Sequence, residues 1–197
     1  MTSAYEPDRP AKTPLVALAV LAVIVILAVT AGAWVPELSS FLPRSPDQAA
    51  AAAATERAIV ANQTVAIPPE RDASGRVTAE TVERMRAEAR KVAAQLFTGS
   101  YREQWIERVD AAIDVEASSE FVFHGGAEDF SGWRIEIEGD HARVRVRCRP
   151  FIDIAQTVDG NRTRAQNTVD YELTLQRVDG TWLVANETQD FAPGGGP

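Results

Sequence analysis

GWRIEIEGDHARVRVRC, residues 132–148, alternates apolar and polar side chains on both sides of Gly139-Asp140. NTVDYELTLQRVDGTWLVANE, residues 167–187, does the same around Asp179-Gly180. A period of two marks strands with one buried and one wet face, and a two-residue turn containing Gly and Asp closes a hairpin. The first turn sets Ile137 opposite Ala142, Ile135 opposite Val144 and Trp133 opposite Val146, all on one face. The second sets Leu175 opposite Val184 and Leu173 opposite Asn186. FIDIAQTV, after Pro150, reads as a further short strand, and Phe121-Val122-Phe123 as another.

Ahead of these strands the period is 3.6. Val82, Met85, Ala89, Val92, Ala93 and Leu96 form one apolar stripe, which predicts a helix over about 78–98 with Thr78 as N-cap and Gly99 as C-cap. SYREQWIERVDAAI, from Ser100, predicts a second, shorter helix with Ser100 as its cap. Two helices followed by an antiparallel meander of four or five strands make an α+β domain, the first helix covering the apolar sheet face.

Further upstream the composition changes twice. Residues 36–77 read as a linker or stalk: PELSSFLPRSP is broken by prolines, QAAAAAATERAIVAN is an alanine-rich helix with a poor apolar face capped by Asp47, and NQTVAIPPERDASGR is polar and proline-broken. From Leu15 to Trp34 the chain is LVALAVLAVIVILAVTAGAW, without a charge. A helix of that length is about 30 Å long, the thickness of a bilayer's hydrocarbon core. A transmembrane helix over 14–35 is therefore expected, following a tail at 1–13. Ala31-Gly32-Ala33 resembles a signal cleavage site, but the apolar run exceeds the usual signal core. Arg9 and Lys12 precede the run and the next basic residue is Arg44, so the N-terminus is expected in the cytoplasm and the domain, 78–191, outside. Residues 192–197 read as a flexible tail.

The formal net charge of −8 argues against a nucleic-acid partner. Cys148 is the single cysteine, so no disulfide forms within the chain. Arginine far outnumbers lysine (Lys12 and Lys91) and alanine is abundant, a bacterial bias.

The element order, together with GDHARVRVRC and YELTLQRVDGTWLVAN, resembles the nuclear-transport-factor-2-like cone, which also includes SnoaL-like domains. The resemblance covers about 78–191. Anchored proteins of this kind include Mce-associated membrane proteins of actinobacteria and inner-membrane components of conjugative and type IV secretion systems. It implies a cone of helices on a curved sheet, and roles from isomerase or dehydratase to scaffold.

Acid–base chemistry in such a cone needs titratable groups facing its interior. His124, in FVFHGG, and Asp153, between Ile152 and Ile154, are the catalytic candidates. His141 belongs to a hairpin end, and alternation turns Asp170 outward. The two histidines have no metal-ligand spacing, so no metal or cofactor is expected. Cys148 reads as a core residue. Alternation places Arg143, Arg145, Arg147 and Arg149 on one sheet face, a candidate binding surface, with Glu136 opposite Arg143, Arg134 opposite Arg145, and Asp170 and Glu172 close by. The leading expectation is an inner-membrane, extracytoplasmic accessory domain contacting lipid through its anchor and other envelope proteins through the domain. A sheet-to-sheet homodimer is compatible with it. The alternative is a small-ligand or isomerase-like site in the cone interior.

Overall fold

The computed structural model describes residues 44–64, 71–72, 75–119, 121–156 and 160–192. The expected transmembrane helix, the N-terminal tail and the end of the C-terminal tail lie outside the described residues. Among the described residues no helix is long and apolar enough to cross a membrane.

Three helices pack on one face of a curved, five-stranded antiparallel sheet. They are α1 (Pro46–Gln63), α2 (Ala79–Leu96) and α3 (Gly99–Ser118); the strands are β1 (Val122–Glu138), β2 (His141–Ala155), β3 (Thr163–Gln166), β4 (Val169–Val178) and β5 (Thr181–Phe191). The order across the sheet is β1-β2-β4-β5, with β3 pairing the far part of β2. The α+β expectation holds, with one more helix against the sheet than the periodicity indicated.

That helix is α1. Ser45, rather than Asp47, is its N-cap: the Ser45 hydroxyl accepts from the Gln48 backbone N–H while the Gln48 side chain accepts from the Ser45 N–H, a reciprocal capping box. The segment read as a stalk is part of the core, with Ala51, Ala54, Ala58 and Ile59 at most 3% exposed. Alanine on every side of a helix hides which face is buried, because its small side chain gives almost no amphipathic signal. The same small size lets the helix backbone approach the sheet closely. Its N-terminal end is held by Asp47 to Arg177, at 2.9 Å, and by the Gln48 amide donating to the Ile135 carbonyl.

α2 starts as expected, the Thr78 hydroxyl accepting from the Thr81 N–H. Its C-cap is Phe97, not Gly99, and Gly99 instead opens α3 at φ +59°; Thr98, not Ser100, is the N-cap of α3. Phe97 is wholly buried between the two helices, against Tyr101 and Trp105.

Both hairpin turns form where expected. Ile137 pairs with Ala142, Ile135 with Val144, Glu136 with Arg143 and Arg134 with Arg145. Trp133 does not pair with Val146, because β1 slips twice between Glu128 and Arg134, with Asp129 and Gly132 at φ +58° and +63°. Glycine suits that left-handed backbone at 132, and such bulges bend a strand. β2 continues through Pro150 instead of breaking there. On the β4/β3 side Pro150 falls between Cys148, the last residue paired to β4, and Phe151, the first paired to β3, so no ladder donor is lost on that side. β1 likewise runs unbroken from Val122, through Gly126, which lies so close to the Phe151 ring that a side chain there would meet it at 2.7 Å.

β5 also carries a bulge. Leu175 pairs with Val184 as expected, but Leu173 pairs with Glu187 rather than Asn186, since the ladder shifts between Thr174 and Leu175. Because strand side chains alternate, one extra residue exchanges the faces of everything beyond it.

The core lies between sheet and helices. Val144, Val146, Cys148, Tyr171, Leu173, Leu175, Trp182 and Val184 supply the sheet side.

Candidate functional sites

The arginine stripe exists, on the sheet face away from the helices, and acids answer all four of its members. Glu172 takes hydrogen bonds from Arg143 Nε at 2.6 Å and Arg145 Nε at 2.7 Å. Arg147 grips Asp170 with two bonds, 2.7 and 2.8 Å. Arg149 pairs with Asp129 and, at 3.4 Å, with Glu128. Hydrogen bonds from these arginines hold the Asp170 and Glu172 carboxyls below the usual range. Glu136 stands opposite Arg143, yet the ion pair of Arg143 runs to β4 instead. The stripe is thus a ladder of matched charges, although Arg134 remains beside Arg145 in the register.

His124 and Asp153 are cross-strand partners, with Nδ1 3.7 Å from Asp153 Oδ2. They sit on the same outer face, since Asp153 shares the phase of Arg147 and Arg149 along β2. Asp153 is buried, and Arg164 holds it with two bonds of 2.8 and 3.0 Å while lying 3.9 Å over the Phe151 ring. Those bonds press the Asp153 carboxyl below its usual range. A carboxylate already chelated by a guanidinium is a poor proton acceptor, so this geometry suits an ion pair that closes the sheet end. His141 is exposed at its hairpin end. Cys148 is buried, and burial, then Glu187, raises its thiol to about 12, so it is inert.

The polar groups facing the cone interior are different ones, and the alternation pattern missed them. The β5 bulge turns Glu187 inward, where its carboxylate accepts from the Asn62 amide at 2.6 Å. The Asn62 carbonyl in turn accepts from the Trp105 indole. The Tyr101 hydroxyl accepts from Arg108 at 3.1 Å. Beside them Gln63 donates to the Tyr171 hydroxyl at 3.4 Å. Burial raises the Glu187 carboxyl to about 7, against the opposing pull of Arg108, Tyr101 and Asn62. Burial also raises both tyrosine hydroxyls. This group opens on a cleft of about 1860 Å³, lined among others by Asn62, Gln63, Trp105, Arg108, Glu116 and Glu187.

Glu116, near the end of α3, is 5% exposed, and its Oε2 has no hydrogen-bond partner. Burial raises its carboxyl to about 7. A sequence signal for it existed: Glu116 follows Trp105, Val109 and Ile113 on the apolar stripe of α3. Among the described residues no group of three or more His, Cys, Asp or Glu side chains is arranged to hold a metal ion.

No protein-family description matches the sequence, and no curated protein does. Among solved structures, the neighbours include a periplasmic fragment of TraM, 10% identical over 76% of this chain and 100% of that one, at a TM-score of 0.48. An IcmL-like type IV secretion system protein from Legionella pneumophila is 8% identical over 77% and 96%, at 0.47. A putative dehydratase of the NTF2-like family from Streptomyces avermitilis is 10% identical over 58% and 99%, at 0.38. Structural neighbours thus include NTF2-like and type IV secretion proteins, at very low identity. Function has to be read from this chain's own residues.

Proposed function

We propose that the chain is a single-pass inner-membrane protein, N-terminus cytoplasmic, whose extracytoplasmic domain serves a bacterial envelope assembly of the transport or secretion kind as an accessory module, through protein–protein contacts. The observation that carries this is the closeness of the uncharged run to the fold. Trp34 ends the run, and the capping box of α1 begins at Ser45, with α1 buried in the core. A connection of about ten residues reaches at most about 35 Å, so the domain is tied closely to the point where the run ends. Carbonate washing of membranes, with protease added from outside, tests it: the chain should stay with the membrane and Met1–Lys12 should be protected. Recovery of a soluble product beginning near Trp34 would mean a cleaved signal.

The second reading is a small-ligand site in the cone interior, and the Glu187 group favours it. A carboxyl that gains or loses its proton near neutrality, amid Asn62, Tyr101 and Arg108, is suited to a neutral or cationic polar group of a ligand. Native mass spectrometry of the full chain should then find a co-purified small molecule that Glu187→Gln loses. An empty wild-type chain would sink this reading and leave the first intact.

A further inference from the structure

Glu116 is the buried acid that neither reading above employs. It follows Trp105, Val109, Ala112 and Ile113 at intervals of three and four along α3, and all of these line the cleft. Arg86 reaches across to Asp110, at 3.8 Å, and to Asp114, at 2.6 Å. Those pairs set the preceding turn of α2, with Val82 and Met85, level with Glu116. The carboxyl thus stands at the α3 end of the cleft, among aliphatic side chains.

The other acids described above are answered. Arg164 chelates Asp153, Arg147 grips Asp170, Arg143 and Arg145 share Glu172, and Asn62 donates to Glu187. Glu116 is 5% exposed, and among the described residues its Oε2 is given no donor. A buried carboxylate without a donor is costly, and its position adds to the cost. It lies in the last turn of α3, at the negative end of the helix dipole, and that turn has no basic residue. The same end does attract cations: Arg71 donates to the Ser119 carbonyl just past the helix, at 3.3 Å, and to that of Phe121. The charged groups on the elements packed against Glu116 are Arg84, Arg86 and Glu88 on α2 and Glu187 on β5. None of them, nor Arg71, offsets the burial that raises the Glu116 carboxyl to about 7.

We propose that this end of the cleft is a subsite for the ammonium group of an aliphatic amine, with Glu116 as counter-ion and the alkyl chain lying along Met85, Ala89, Val109 and Ile113. The inference rests on the small-ligand reading above and names its class of ligand. An ammonium supplies both the charge and the N–H donors that the carboxylate lacks, and the helix end draws it as it draws Arg71. An alcohol brings one donor and no charge, and an anionic ligand brings a like charge. Met85, unbranched and half-buried, can settle around an aliphatic chain. Binding moves one proton. Below about pH 7 the Glu116 carboxyl is protonated and releases its proton to solvent as the ammonium arrives, so affinity rises with pH to that point and levels off above it.

The probes are hexylamine, hexanol and hexanoate, titrated into the full chain in nanodiscs of neutral lipid. Trp105 and Trp182 line the cleft, so tryptophan fluorescence follows binding. Above neutrality hexylamine should bind roughly ten-fold more tightly than either other probe. Its affinity should fall about ten-fold one pH unit below the Glu116 midpoint. Glu116→Gln should abolish both the preference and the pH dependence. Glu88→Gln, which removes an exposed charge along the same cleft, should keep both. Circular dichroism checks the fold. Ala112→Leu, at an exposed position one turn before Glu116, leaves the carboxyl in place and narrows the cleft beside it, so it should weaken hexylamine binding even if Glu116→Gln fails to fold. No preference for hexylamine, or a preference that survives in folded Glu116→Gln, overturns the proposal. Native mass spectrometry separates it from the reading on which it rests. A co-purified molecule without a basic nitrogen fails the amine subsite alone, whereas a chain that purifies empty and binds none of the probes fails both.

Discussion

Replacing Glu116 by glutamine should remove a pH dependence that the fold builds in. In the unfolded chain this carboxyl ionises near 4.5, and in the domain burial holds its proton to about 7. Between those values the folded state binds more protons than the unfolded one, so stability falls as pH rises through the interval and levels off above it. At about 1.4 kcal/mol per unit, the ceiling on this loss is about 3 kcal/mol, and solvent screening brings the expected effect to about 1–3 kcal/mol. Denaturant unfolding of the full chain in mild detergent, followed by tryptophan fluorescence from about pH 5 to 8, measures it. The glutamine amide brings its own burial cost, but that cost does not vary with pH and cancels in the comparison. Glu116→Gln should gain about 1–3 kcal/mol on the wild type between the two ends of the range. Parallel curves would refute the reasoning, because they would mean that water or a partner reaches the carboxyl.

Glu187→Gln keeps an acceptor for Asn62 and should remove a second component of the same sign, read by the same titration, since burial raises that carboxyl to about 7 as well. The acid limb runs the other way: the Asp153, Asp170 and Glu172 carboxyls are held low by arginines, so stability should also decline as pH falls through their range. Trp182, 4% exposed with Arg177 4.4 Å over its ring, should cost about 3–5 kcal/mol when changed to alanine; a loss near zero in denaturant unfolding would mean its ring is not packed as described. Changing Arg145 and Arg147 to serine should cost no more than about 1 kcal/mol per exposed pair, and crosslinking of membranes before and after tells whether the ladder also meets a partner; unchanged adducts would leave it an ordinary solvated face.

The hairpins were legible because Ile135, Ile137, Val144 and Val146, and then Leu173, Leu175 and Val184, each keep strict alternation beside a two-residue turn. Irregularity hid the rest. At Asp129–Trp133 the backbone enters the left-handed region twice, and no pattern of apolar residues announces it. Pro150 suggested a break that pairing on the other side makes unnecessary. Alanine gave α1 a helix signal without a face, so a core helix was read as a stalk. His124 and Asp153 were sought as interior groups, whereas their phase along the strands puts them on the outer face beside Arg164. Glu187 and Asn62 reach the interior through a bulge and through α1, the two features that side-chain periodicity does not report.

The β5 bulge also bears on how this strand can change over time. Trp182 and Val184 face the core in one phase, Glu187 reaches Asn62 in the other, and Ala185 is where the count changes. Losing a single residue there would work like a frameshift in space. Asn186, Thr188 and Asp190 would turn toward Tyr171 and Leu173, and Glu187 would leave Asn62. Substitutions along the strand are ordinary mutations, but an insertion or deletion rewrites every contact downstream. In descendants of this chain the length of β5 should therefore be inherited more strictly than its composition.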